Sequence, residues 1–160
     1  MNPAPFCLIG IVNVTPDSFS DGGKYIDPRN AVAHGLRLLD EGAGMLDLGA
    51  ESTRPFAEPV PEGEEIARLM PVVARLREQR PDAVLSVDTL KAGTARAALE
   101  GGADIINDVS ACVADPALLD VLAEYKPGYV LMHSQGSPRE MQVNPRYGNV
   151  VEEILAFFEE

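Results

Sequence analysis

Five polar clusters each follow a short apolar run, and their residue types suit the handling of a small polar molecule. The first is Asn13-Val14-Thr15-Pro16-Asp17-Ser18-Phe19-Ser20-Asp21-Gly22-Gly23, an amide followed by two acids and a glycine pair. Asp, Ser, Gly and Pro also make ordinary surface loops, so no single residue here decides the matter. The second, Gly49-Ala50-Glu51-Ser52-Thr53-Arg54-Pro55, holds a guanidinium on a backbone that Pro55 restricts. An Arg fork bonds two oxygens at once and suits diphosphate, although a solvated loop Arg has the same sequence. The third is Ser86-Val87-Asp88-Thr89, where Asp88 reads as a site carboxylate or as a helix cap shared with Thr89. The fourth is Ile105-Ile106-Asn107-Asp108-Val109-Ser110, in which the Asn107 amide both donates and accepts and so fits the edge of a fused heterocycle. The fifth is Met132-His133-Ser134-Gln135-Gly136; His133 reads first as a satisfied strand-end histidine and second as a site residue. His34 has no polar partner suggested by the sequence and reads as surface.

Each cluster follows a short apolar run. The runs are Cys7 to Val12, Met45 to Leu48, Val84 to Val87, Ile105 to Ile106 and Tyr129 to Met132. They are continuous or nearly so, which predicts strands covered on both faces. Helical stripes alternate with them. Val32, Leu36 and Leu39 precede Gly42 as a C-cap. Ile66, Leu69, Met70, Val73 and Leu76 form a stripe that Pro71 is expected to kink. Lys91 to Glu100 ends at Gly101-Gly102, and Asp115-Pro116 reads as an N-cap with proline at N1. A last helical pattern runs from Val150 to Phe158. The order βαβαβαβαβα implies a parallel sheet, open and doubly wound or closed into a (β/α)8 barrel. The GxGxxG fingerprint is missing after the first run, where a long polar loop stands instead. Barrel enzymes keep their chemistry in loops at the C-terminal strand ends, so successive polar tips there point to one small-molecule site.

The chain has 160 residues and a formal charge of −12, which speaks against nonspecific nucleic-acid binding. Cys7 and Cys112 lack CxxC spacing and read as reduced thiols in a cytoplasmic protein. The start lacks the basic region of a signal peptide, and no stretch approaches a membrane span, so no membrane association is expected. Zinc-ligand spacing, GxSxG and HExxH are all missing from the sequence.

The segment Ile9 to Gly23 resembles the first signature of the dihydropteroate synthases, and Glu51-Ser52-Thr53-Arg54-Pro55 resembles their second. Ser86 to Thr89, Ile105 to Asp108 and Met132-His133 match later segments of that family in order. The resemblance implies a (β/α)8 TIM barrel. It also implies condensation of 6-hydroxymethyl-7,8-dihydropterin diphosphate with p-aminobenzoate, with Mg2+ as cofactor and diphosphate released. Carried over, Asn13 is the Mg2+ ligand, Asp88 and Asn107 contact the pterin, and Thr53 lies near the diphosphate beside Arg54. Phe19 and Asp21 belong to a first loop that closes over the p-aminobenzoate site. Family members are often homodimers.

Three features depart from the family pattern. Ala50 and Phe56 stand where glycine is common, and Ser134-Gln135 replaces a Met-Arg pair. A barrel takes about 250 residues and eight strands. The expectation is therefore one domain, 1–160, holding about the first five βα units and incomplete at its C-terminal side. Two rival readings are a pterin-binding methyltransferase domain of the corrinoid-dependent type and a catalytically incompetent half-barrel. The loop Thr15 to Gly23 fits the synthases better than the methyltransferases.

Overall fold

The computed structural model describes residues 6–15, 27–51, 59–136 and 144–159. Five strands alternate with five helices: β1 (Ile9–Asn13), α1 (Pro28–Asp40), β2 (Met45–Gly49), α2 (Glu62–Gln79), β3 (Val84–Asp88), α3 (Ala92–Glu100), β4 (Ile105–Asp108), α4 (Leu118–Tyr125), β5 (Gly128–Leu131) and α5 (Val150–Glu159). All neighbouring strands pair in parallel, in the order β1-β2-β3-β4-β5. A doubly wound sheet reverses its strand order at a switch point. This sheet never reverses, and it builds as one arc of a barrel does.

Burial alternates along β1 and β4, contrary to the two-sided cover expected from the apolar runs. On β1, Gly10 and Val12 are buried, whereas Ile9 and Ile11 are 54% and 62% exposed. Val12, Leu46, Leu48, Leu85, Val87 and Ile106 form the covered face. They pack on Val32, Leu69, Val73, Leu76, Ala95 and Leu118 of the helices. The opposite, inner face carries Ile9, Ile11, Val84 and Val130 in the open. Its apolar runs are those of a barrel interior, which side chains from all the strands together fill.

Local chemistry sets the helix ends. Asp27 accepts from the Arg29 backbone N–H at 2.9 Å and Pro28 follows, an N-cap with proline just inside. Gly42, at φ +107°, ends α1 in a conformation that a Cβ disfavours. Pro71 does not interrupt α2, which continues to Gln79 with the proline on its exposed side. The Asp115 expectation needs correction. α4 begins only at Leu118, after a turn in which Asp115 Oδ1 accepts from Ala117 N–H, while Oδ2 accepts from Ala92 N–H at the start of α3. Proline at 116 favours that turn, and the short polar side chain reaches both backbones. His34 also gains a partner, since its Nδ1 lies 3.0 Å from Arg37 Nη2 one turn on.

At the N-terminal side of the strands, Arg77 ties α2 to two connections. Its guanidinium donates to the carbonyls of Pro81, Ala83 and Gly102 and pairs with Asp104 at 2.8 Å. Asp104 accepts in turn from the Leu85 N–H. This end is built for stability.

Candidate active site

The opposite end gathers the polar residues. Parallel register aligns Asn13 with Gly49, Gly49 with Asp88, and Asp88 with Asn107. Asn13, Asp88 and Asn107 thus occupy one row on the inner face, at the C-terminal tips of β1, β3 and β4. Gly49 leaves the β2 position without a side chain; a Cβ there would sit 3.7 Å from the Asp88 Cβ and Oδ2. The row therefore holds a gap between the Asn13 amide and the Asp88 carboxylate.

Asp88 is free for this role because other groups cap the helix that follows it. Thr89 Oγ1 accepts from Lys91 N–H, and Asp115 accepts from Ala92 N–H. Burial pushes the Asp88 carboxyl up to about 7, with the negative charges of Asp47, Glu65, Asp108 and Glu51 adding to the shift.

One layer below the row lies a residue that the strand reading passed over. Asp47 stands on the inner face of β2, in register with Ser86 of β3. Ser86 Oγ donates to its Oδ1 at 2.6 Å, and Asn107 Nδ2 donates to its Oδ2 at 3.0 Å. A lone acid inside the apolar run Met45 to Leu48 was the available signal, because an unpaired carboxylate rarely enters a buried strand.

The root of the second cluster is clamped. Lys91 Nζ bonds both Glu51 and Glu65, the latter 1% exposed, and Arg68 Nη1 donates to the Ala50 carbonyl at 3.0 Å. The segment bearing Thr53 and Arg54 leaves from this root. Thr53, Arg54, Phe19 and Asp21 themselves lie outside the described residues, as does Phe56.

Not every polar tip serves the site. Asp108, one residue beyond Asn107, lies on the opposite face and is fully buried. It accepts from Ser110 N–H and Oγ, Cys112 N–H and the Tyr129 hydroxyl, pinning a turn in which Ala111 and Cys112 have positive φ. His133 meets the Tyr147 hydroxyl at 3.2 Å through Nε2 and packs on the Phe157 ring, joining β5 to α5. Gln135 bonds the backbone of Arg146 in both directions, so this departure from the family pattern has a structural use. Cys7 and Cys112 are both free thiols.

No group of three or more His, Cys, Asp or Glu side chains able to hold a metal occurs among the described residues. A lone hard oxygen, the Asn13 amide, fits Mg2+ that arrives on phosphate oxygens, because Mg2+ keeps several waters and takes few protein ligands.

Five sequentially ordered parallel strands, with α1 to α4 packed on one face and polar residues at the C-terminal tips, define a barrel-type α/β protein. Residues 9–160 match the pterin binding enzyme family, and the chain belongs to it. It is 46% identical over 157 residues to the dihydropteroate synthase of Mycobacterium leprae, covering 98% of this chain and 55% of that protein. It is 44% identical over 152 residues to the Haemophilus influenzae synthase, covering 95% and 54%. Among solved structures, the Xanthomonas albilineans dihydropteroate synthase with 4-aminobenzoic acid superposes with a TM-score of 0.82 at 48% identity, covering 96% of this chain and 53% of that one. The Yersinia pestis dihydropteroate synthase with a sulfonamide drug gives 0.85 at 44% identity, covering 96% and 55%. The fold is thus that of the TIM barrel, and the chain spans about half the length of the relatives it matches. Among the described residues no helix is long and apolar enough to cross a membrane.

Proposed function

We propose that this chain carries the pterin-binding half of a dihydropteroate synthase. The reaction joins 6-hydroxymethyl-7,8-dihydropterin diphosphate to p-aminobenzoate and releases diphosphate. The observation that carries this reading is the single row Asn13–Gly49–Asp88–Asn107 across the tips of the inner face, the same face that bears the apolar side chains Ile9, Ile11, Val84 and Val130. A pterin presents a flat apolar body with N–H donors along one edge. Asp88 is a pure acceptor once ionised, and Asn107 offers both a donor and an acceptor, so the pair matches that edge. The acidic surroundings of Asp88 suit N–H groups and repel phosphate. The diphosphate therefore belongs away from Asp88, and the family resemblance assigns it to Thr53 and Arg54.

Asn13 would be the protein ligand of Mg2+, which supplies charge neutralisation on the departing diphosphate. The reading is dissociative: diphosphate leaves first, a pterin-stabilised cation forms, and the aromatic amine attacks it. Arg54 stabilises the leaving anion, and Asp21 stabilises positive charge at the reacting centre. Phe19 and the first loop shield the cation from water. The exposed inner residues Ile9, Ile11, Val84 and Val130 support a further point, that further strands complete the pocket before turnover occurs. A cytoplasmic location and a homodimer are part of the same proposal.

The test is diphosphate release from the pterin diphosphate with Mg2+ and p-aminobenzoate. The 160-residue chain is assayed alone and with the remaining strands of a family barrel supplied in trans. Activity gained on complementation, and lost in Asn13→Ala, is the expected result. Failure of both samples to turn over or to bind pterin would sink the reading.

A further inference from the structure

Asp47 carries a negative charge into the inner face, and among the described residues no cation pairs with it: its two oxygens take one neutral donor each, from Ser86 and from Asn107. The second bond is the unusual one. Asn107 sits on β4, Asp47 on β2, and the contact passes over β3 and drops one layer, since Asn107 is level with Asp88 and Asp47 with Ser86. A carboxylate only accepts, so it admits the Nδ2 side of the amide and rejects Oδ1. Because the amide is planar, fixing one N–H on Asp47 also fixes where Oδ1 and the second N–H point. Ser86 holds the other carboxylate oxygen, so Asp47 cannot turn away to follow Asn107.

We infer that Asp47 is a positioning residue of this pocket: held by Ser86, it locks the Asn107 amide in one orientation, so that Oδ1 accepts from, and the second N–H donates to, the edge of the bound pterin. This rests on the pterin reading above. It adds a residue that makes no contact with the ligand itself. Asn has two nearly isosteric orientations that present opposite hydrogen-bonding patterns to a ligand, and an unfixed amide must be ordered at the moment of binding. The Asp47 charge removes that ambiguity in advance.

The experiment uses the 160-residue chain and 6-hydroxymethylpterin as a fluorescent probe. It compares the parent with Asp47→Asn and Ser86→Ala. Asp47→Asn keeps the shape but offers one carbonyl to two donors. Two readouts are taken: the probe affinity and the Asn107 side-chain NH2 pair in a 15N–1H spectrum of the ligand-free protein. The backbone dispersion of the same spectrum reports folding. The expected result is a shift of the Asn107 pair in both variants. Probe binding should weaken about tenfold in Asp47→Asn, the scale of one misdirected hydrogen bond, and less in Ser86→Ala. Should Asp47→Asn fail to fold, Ser86→Ala decides by itself. Parent-like affinity and an unmoved Asn107 pair in a folded variant would overturn the role of Asp47 and leave the pocket standing. A parent chain that does not bind the probe either alone or with the remaining strands of a family barrel supplied in trans would overturn the pterin reading, and this inference with it.

Discussion

Lys91 Nζ lies 2.6 Å from Oε2 of Glu65, a carboxylate that is 1% exposed and has no other partner for its Oε1 among the described residues. The same ammonium bonds Glu51, so a single cation holds a buried acid of α2 and the end of β2. Removing it strands a charge in the core.

Lys91→Met is therefore expected to destabilise the chain by about 3 kcal/mol, the cost of breaking a largely buried pair from one side. Urea unfolding measures this. The double change Lys91→Met with Glu65→Leu should recover most of the loss, because no unpaired charge then remains. A single variant as stable as the parent would show that Glu65 does not depend on Lys91.

Asp88 gives a pH dependence of defined sign. Its carboxyl is pushed up to about 7 in the folded chain and titrates near 3.8 when free. Between those values the folded state keeps a proton that the unfolded state has lost. Stability therefore falls as pH rises from about 4 to 7, by at most about 1.4 kcal/mol per pH unit, and is level above. Asp88→Asn should flatten this slope and be more stable than the parent at pH 8, with little difference at pH 4. Unfolding curves at several pH values check it; parallel profiles for the two proteins would contradict it.

Gly10 of β1 is crowded by Leu38 of α1 and Leu46 of β2. A Cβ there would meet Leu46 Cδ2 at 2.9 Å and Leu38 Cβ and Cδ1 at 3.1 Å. Gly10→Ala is expected to cost about 1–3 kcal/mol through overpacking. At Gly63, in the first turn of α2, nothing lies within 4 Å of the added atom. Gly63→Ala should be neutral or slightly stabilising. Thermal unfolding of the two variants side by side tests the contrast.

How much of this was legible beforehand depends on the residue. The number and order of the elements were legible, because apolar runs and helical stripes are local properties and a cap such as Gly42 marks its own position. Asn13, Asp88 and Asn107 were legible as candidates because each ends an apolar run in a segment resembling a family signature. Alternation on the strands was not. A barrel interior and a helix-covered face are both apolar in sequence, and only the tertiary arrangement divides Ile9 and Ile11 from Gly10 and Val12.

The sequence by itself thus determined the family and the segments that bear the chemistry, since both reside in short stretches of neighbouring residues. The tertiary structure decided which of two adjacent polar residues faces the pocket. One residue along a strand reverses the face, so Asn107 turns inward while Asp108 is buried against the helices pinning a turn. It also decided that Asp47, 60 residues away from Asn107, is the group on which that amide rests. Such a contact depends on the stagger of three strands, and register is a property of the assembled sheet.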